Sequence, residues 1–210
     1  MAVIPIGIDC GVAETLNKYN FRNSALPFDW AVTYKGVHHI IKNDFIDFIP
    51  TKNIYEYNGE YITYNKYNVK FVHDKFNDDD ILKYNRRILR FNQLLSCNNN
   101  QPVFFIKKGH SYHHHGEYDF IDDILDVSLL NDVLISKYPS LNFKIIVSLL
   151  CKFCYQNKTF DNIHPNIIII NKPILDIRDD LLHNKIISGQ HFDQVFYKYI
   201  IPIITPISSS

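Results

Sequence analysis

Val3-Ile4-Pro5-Ile6-Gly7-Ile8-Asp9-Cys10 is an apolar run that closes on a cysteine, and Gly11 to Tyr19 continues it with Val12, Leu16 and Tyr19 on one helical face. A buried strand that feeds straight into an amphipathic helix is the first half of a βαβ unit. The pattern recurs along the chain. Pro102 to Ile106 reads as a short buried strand, and Phe120 to Lys137 as a helix rich in Ile, Leu and Asp. Phe143 to Leu150 and Ile167 to Ile170 are nearly continuously apolar, as strands covered on both faces are. The clearest helix is Asp78 to Leu95. Three aspartates start it, where negative charge suits the helix dipole, and Ile81, Tyr84, Ile88, Phe91 and Leu95 form its apolar stripe. Asp176 to Lys185 and Phe192 to Ile201 also carry helical patterns. This alternation predicts the α/β class: a mostly parallel sheet flanked by helices, as one domain over residues 1–205 with a frayed tail at 206–210.

Two segments stand apart from that rhythm. Tyr55 to Phe71 alternates around Asn58-Gly59, which predicts an antiparallel hairpin insertion. Val37 to Phe48 places Ile40, Ile41, Phe45 and Phe48 at helical spacing, so a helix is expected there, stopped by Pro50. Pro5 is awkward inside the first strand, because it has no N–H for a ladder.

Composition narrows the function classes. The chain has 210 residues, 46% of them hydrophobic, enough for a sizeable core. Lys+Arg and Asp+Glu balance at 22 each, so there is no basic footprint for sequence-independent nucleic-acid binding. No stretch has the ~18 apolar residues of a membrane span, and the N-terminus lacks a signal-peptide pattern. The cysteines Cys10, Cys97, Cys151 and Cys154 are too few and too irregular for a secreted disulfide framework. A soluble chain in a reducing, cytoplasmic compartment is expected. The bias toward Ile, Asn, Lys, Tyr and Phe is what an AT-rich genome, viral or parasitic, would impose.

Cys10 is the candidate nucleophile, although a lone cysteine is more often a small buried apolar residue. At the junction of a strand and a helix, free backbone N–H groups and the helix dipole favour an anion, which predicts a lowered thiol pKa. A thiol nucleophile also needs a base and a group to orient that base. His73 could take the proton, and Asp29 or Asp74 could hold the imidazole. Asp74 is poorly placed to orient its own neighbour's ring, so Asp29 is preferred. The Gly11 N–H could stabilise an oxyanion.

The stretch from Ile6 to Ala13, with Phe21-Arg22-Asn23-Ser24 and Pro27-Phe28-Asp29-Trp30, resembles the N-terminal signature of a family named for papain-like cysteine peptidases. His73-Asp74, Tyr84, Arg86-Arg87, Arg90-Phe91 and Val103-Phe104-Phe105-Ile106 match that family's later block. The likeness covers about the first half of the chain. It implies a Cys-His mechanism carried by Cys10 and His73 on a peptide or other acyl substrate, with no metal or other cofactor. Gly11, Trp30, Asp74, Arg86, Arg87 and Arg90 are then candidates for binding that substrate. Two departures from the family pattern are Pro5 and Lys107, which stands where an Arg fork would be expected.

Other clusters read as structural. Arg86, Arg87 and Arg90 could recognise a carboxylate or phosphate, but helix arginines more often pair with nearby acids such as Asp78 to Asp80. His110 and His113-His114-His115 lie in a polar loop that reads as solvated and not as a metal site. Cys151-Lys152-Phe153-Cys154 has no second pair, and His164 would make three ligands at most. Two alternatives stand beside the peptidase reading. One is a non-catalytic binding or host-interaction protein that keeps the fold. The other is a GDSL-like acyl hydrolase with Cys in place of Ser, since a nucleophile after the first strand is similar to that arrangement. The oligomeric state is open.

Overall fold

The structure, a computed structural model, describes residues 1–33, 35–50, 54–57, 60–64, 67, 69–71, 73–74, 77–96, 101–109, 123–150, 160, 163–172 and 185–205. Of 54–57, 60–64 and 185–189 it describes the backbone. In chain order the elements are β1 (Ala2–Pro5), α1 (Gly11–Lys18), β2 (Ala31–Val32), α2 (Val37–Lys42), β3 (Ile54–Tyr57), β4 (Glu60–Tyr64), β5 (Lys70–Phe71) and α3 (Asp78–Ser96). There follow β6 (Val103–Lys108), α4 (Asp123–Lys137), β7 (Phe143–Leu149), β8 (Ile167–Asn171) and α5 (Lys185–Val195). A π-helical turn (Phe196–Ile200) joins α5 to α6 (Ile201–Ile204).

The apolar runs build the expected α/β fold. β1, β6, β7 and β8 form a parallel sheet in that order, with Ile4 opposite Phe105 and Ile145 opposite both Phe105 and Ile167. Side chains alternate across it. Ile4, Phe105, Ile145 and Val147 pack with α3 and α4 through Phe91, Leu95, Val127, Leu130 and Leu134. Val3, Phe104, Ile106, Ile146 and Ile170 face the other way, toward Val12 and Leu16 of α1 and toward Phe192, Phe196 and Ile200. The strands follow one another in sequence order. Crossovers of one hand then put α3 and α4 on the same face, and the C-terminal helices with α1 cover the other.

Pro5 is accommodated because β1 is an edge strand of this sheet. Ala2 N–H donates to Pro102 O (3.2 Å) and Ile6 N–H to Ile106 O (2.9 Å). Even-numbered N–H groups therefore face β6, and the donor Pro5 lacks would have pointed off the edge.

A second, antiparallel sheet has the order β2-β5-β4-β3. Its hairpin pairs Tyr57 with Glu60, the register expected from Asn58-Gly59, although those two residues lie outside the described ones. β2 pairs with β5 through Ala31 and Phe71.

The helix expected over Val37 to Phe48 is shorter than the pattern suggests. α2 stops at Lys42, and the chain turns through positive φ at Asp44 (54°), Phe45 (60°) and Asp47 (57°). Lys137 Nζ, reaching over from α4, donates to Ile41 O (2.6 Å) and pairs with Asp44 (2.6 Å), so the end of the helix is held by a side chain. The turn still buries the same rings: Phe45 lies against Phe91 (5.1 Å) and Phe48 against Phe71 (5.5 Å). The patterns at 110–122, 151–159 and 173–184, with the histidine cluster and the Cys151/Cys154 pair, lie outside the described residues.

Candidate functional site

In an open parallel sheet the carboxyl ends of the strands are where chemistry gathers. β6 ends there with two lysines, and strand alternation sends them to opposite faces. Lys107 points to the α4 side. Its Nζ lies 2.9 Å from Asp126 Oδ2 and 3.8 Å from Asp123 Oδ1, with all three side chains buried. Asp126 also accepts the Gly36 N–H (3.0 Å) and lies 3.3 Å from His38 Nδ1. Gly36 sits at φ 88° just before α2, a backbone state that suits glycine. Burial alone would lower the Lys107 pKa, but Asp126 and Asp123 carry it above its ordinary value. Burial would raise Asp126, yet Lys107, His38 and the Gly36 N–H hold it well below the usual carboxylate range.

Lys108 points to the α1 side and meets Asp9. Nζ lies 2.7 Å from Asp9 Oδ2, while Asp9 Oδ1 accepts the Gly11 N–H at 2.9 Å. A Cβ on Gly11 would stand 2.9 Å from Asp9 Oδ1 and 3.5 Å from Lys108 Nζ, so glycine is what lets the pair close over the start of α1.

Cys10 sits between Asp9 and Gly11, its thiol free and partly exposed. Its carbonyl accepts the Glu14 N–H (2.9 Å), the first turn of α1. The lowered pKa expected from the helix terminus is not what this setting produces. Burial pushes the thiol up, Glu14 and Asp9 push the same way, and the local backbone and Lys108 only partly offset them. The Gly11 N–H, expected to face an oxyanion, is held by Asp9.

The other sequence-derived residues gather around the second sheet. Asp29 is fully buried. Its Oδ2 accepts from Arg22 Nε (2.7 Å) and from the Leu26 N–H (3.0 Å), closing the turn into β2. Burial raises its pKa, opposed by the Leu26 N–H, Arg22 and Arg87. Arg22 also lies over the Trp30 ring (5.6 Å), and Trp30 meets the exposed His73 ring edge to face (6.0 Å). Asp74, next in sequence, is buried instead. It accepts from Tyr84 OH (2.7 Å) and is paired with Lys83.

Among the described residues, then, neither carboxylate named for orienting His73 is bound to it. The charged groups that act on the Cys10 thiol are Glu14, Asp9 and Lys108. One backbone link joins the two groups: Thr33 N–H, just past β2, donates to Ile8 O (2.9 Å), two residues before Cys10.

The arginines of α3 do not form one patch. Arg86 and Arg90 are exposed, and Arg90 donates to Ala25 O at 3.4 Å. Arg87 is buried, stacked 4.8 Å over Tyr84. Asp80 is bound by Lys83 (2.6 Å). No group of three potential metal ligands occurs among the described residues.

Asp9 and Lys108 were not singled out from sequence. The signal was present: two lysines closing an otherwise apolar strand cannot both reach solvent, and each buried one needs a carboxylate.

No curated protein and no solved structure was found to match the chain. A family model does, over residues 1–152, well past the half of the chain in which the likeness was first visible. The matched region holds Cys10, Asp9, the Asp29 turn, His73 and Lys108. The family is described as "Putative papain-like cysteine peptidase", and with most of its length matched the chain belongs to it.

Proposed function

We propose that the chain is a thiol hydrolase in which Cys10 attacks a peptide or other acyl carbon and His73 acts as base. One observation carries the reading: a free, partly exposed thiol stands at the start of α1, on the connection that leaves the carboxyl end of β1, in a chain of this family. Burial, Glu14 and Asp9 push the thiol pKa above its ordinary value, so attack calls for a base to take its proton. His73 is suited to that role because it is exposed and rests on Trp30 alone among the ring contacts described. In the step proposed, the thiol proton passes to His73 as the S–C bond forms, and the leaving group takes that proton as it departs. Water then hydrolyses the thioester. Asp29 fixes the turn that carries Trp30 and so acts on His73 indirectly. Arg90 and Arg86, exposed on α3, are the binding candidates that remain open to a substrate. No described helix is long and apolar enough to cross a membrane, and a cytoplasmic site of action is part of this proposal.

A second reading, a binding protein that keeps the fold, is favoured by the raised thiol and by the occupied Gly11 N–H. The two separate on an acyl-transfer assay. With p-nitrophenyl acetate, the hydrolase should release nitrophenol with a burst and carry an acetyl group on Cys10 by intact mass. Cys10→Ala should abolish both, and His73→Ala should slow acylation about 100-fold or more. Release that does not depend on Cys10 leaves the binding reading in front.

A further inference from the structure

We propose that Lys108 and Asp9 are opposed positioning residues for the Cys10 thiol: Lys108 supplies the cation that favours the thiolate, and Asp9 holds that cation and the Gly11 N–H in check. The geometry is specific. Lys108 is almost wholly buried at the end of β6, where an ammonium is costly unless it has a task or a partner. Its Nζ reaches over the first residue of α1, 3.5 Å from the Cβ position of Gly11, the residue that follows the thiol. Asp9 precedes the thiol and spends one oxygen on each donor, Lys108 Nζ at 2.7 Å and Gly11 N–H at 2.9 Å. The two donors lie beside the thiol in the chain, one on the residue that follows it and one reaching over that residue, and a carboxylate of the chain itself now fills them. Of the charged groups that shift the Cys10 thiol, Glu14 from α1 and Asp9 from its own loop raise it and Lys108 from β6 lowers it. Lys108 is the one cation among them.

A substrate that draws Asp9 away, by charge or by displacement, therefore uncovers both donors next to the nucleophile. This regulation rests on Cys10 being the nucleophile proposed above, but the pair's effect on the thiol is measurable without turnover.

The test is the rate of Cys10 alkylation by iodoacetamide against pH, with the other cysteines followed separately by peptide mass. The apparent pKa is read from the profile and not from one rate, because a thiolate loses intrinsic nucleophilicity as its pKa falls. Asp9→Asn keeps an acceptor for the Gly11 N–H and removes the charge. It should lower the apparent thiol pKa and raise the thiolate fraction at pH 7 about three- to tenfold, one pH unit being a factor of ten. Lys108→Met should move the profile the other way by a similar factor. The ratio of iodoacetate to iodoacetamide rates at fixed pH should rise in Asp9→Asn and fall in Lys108→Met, since an anionic reagent reads the local charge. Profiles within about 0.3 unit of the parent, or shifts in one common direction, overturn the proposal. Should Lys108→Met not fold by circular dichroism, Asp9→Asn decides alone. Opposed shifts in a protein without Cys10-dependent esterase activity sink the hydrolase and leave this pair standing. Unshifted profiles in an active esterase do the reverse.

Discussion

Lys107 and Lys108 are neighbours on one strand, both buried, and they serve different ends. Lys107 is enclosed by two carboxylates of α4, one of which also ties down the N-terminus of α2 through Gly36. Its charges are satisfied within the protein and no nucleophile lies among the groups described around it. Lys108 has one carboxylate, itself shared with a backbone N–H, beside a free thiol. The difference teaches how to tell a structural charge from one proposed to act on a nucleophile, both at the carboxyl end of one strand. The first is matched beyond need, while the second is matched by a partner that a ligand could replace. The contrast breaks most directly at Lys107. Lys107→Met leaves Asp126 and Asp123 buried without their cation, and should cost about 3–5 kcal/mol in urea unfolding. Adding Asp126→Leu should recover part of that loss, because an apolar pair replaces an unpaired charge. The folded fraction of Lys107→Met should keep the parent alkylation profile at Cys10. A loss under 1 kcal/mol, or a shifted Cys10 profile, would mean that the two lysines are not the opposites drawn here.

Acid sharpens the same contrast with a smaller effect. Asp126 has a folded pKa below its unfolded value, so its stabilisation is present above about pH 4 and is lost as pH falls through the folded pKa. Asp29 has the opposite sign. Its folded pKa is raised, so the folded state binds the proton first and gains stability as pH falls. Of these two described carboxylates, Asp126 therefore loses stabilisation in acid and Asp29 opposes that loss. Asp126→Asn should flatten the limb between pH 5 and pH 2, and Asp29→Asn should steepen it. Denaturant midpoints measured at each pH read both slopes, and a steeper limb in Asp126→Asn would contradict the ion-pair assignment.

The sheet was legible because its residues obey a two-residue period on strands covered from both sides. Phe104 and Phe105 lie next to each other in sequence and in different cores, and nothing beyond alternation is needed to foresee that. α2 was over-read because Phe45 and Phe48 are buried at helical spacing without being helical. What ends the helix is Lys137, ninety-odd residues away, and no local pattern announces it. For Arg87 the sequence favours an ion pair with Asp78 to Asp80 over a substrate-binding patch, yet it falls three residues after Tyr84 on the buried stripe and lies over that ring. The chemistry-bearing residue types at Cys10, His73 and Asp29 were visible, but their partners were not. Asp29 closes on Arg22 and Leu26, a local turn within seven residues, whereas Asp9 finds Lys108 ninety-nine residues away. Register between β1 and β6 makes that second meeting, and register is a tertiary property.

The smallest effect tests the Asp9–Lys108 arrangement without removing a charge. Gly11→Ala adds a methyl that would stand 2.9 Å from Asp9 Oδ1, closer than contact allows, and 3.5 Å from Lys108 Nζ. The crowded atom is the end of a side chain, so the carboxylate can turn away while the backbone stays. Alanine also suits a helix better than glycine does. Stability should therefore change by less than about 1 kcal/mol in either direction. The Cys10 alkylation profile should still move, in the same direction as in Asp9→Asn and by a smaller factor, because the carboxylate is displaced and not deleted. Combining Gly11→Ala with Asp9→Asn should add little to Asp9→Asn alone, since both act by lifting one negative charge from the same two donors. Two independent, additive shifts would show that the methyl acts on the thiol by another route, and the check that Asp9 keeps on Lys108 would lose its support.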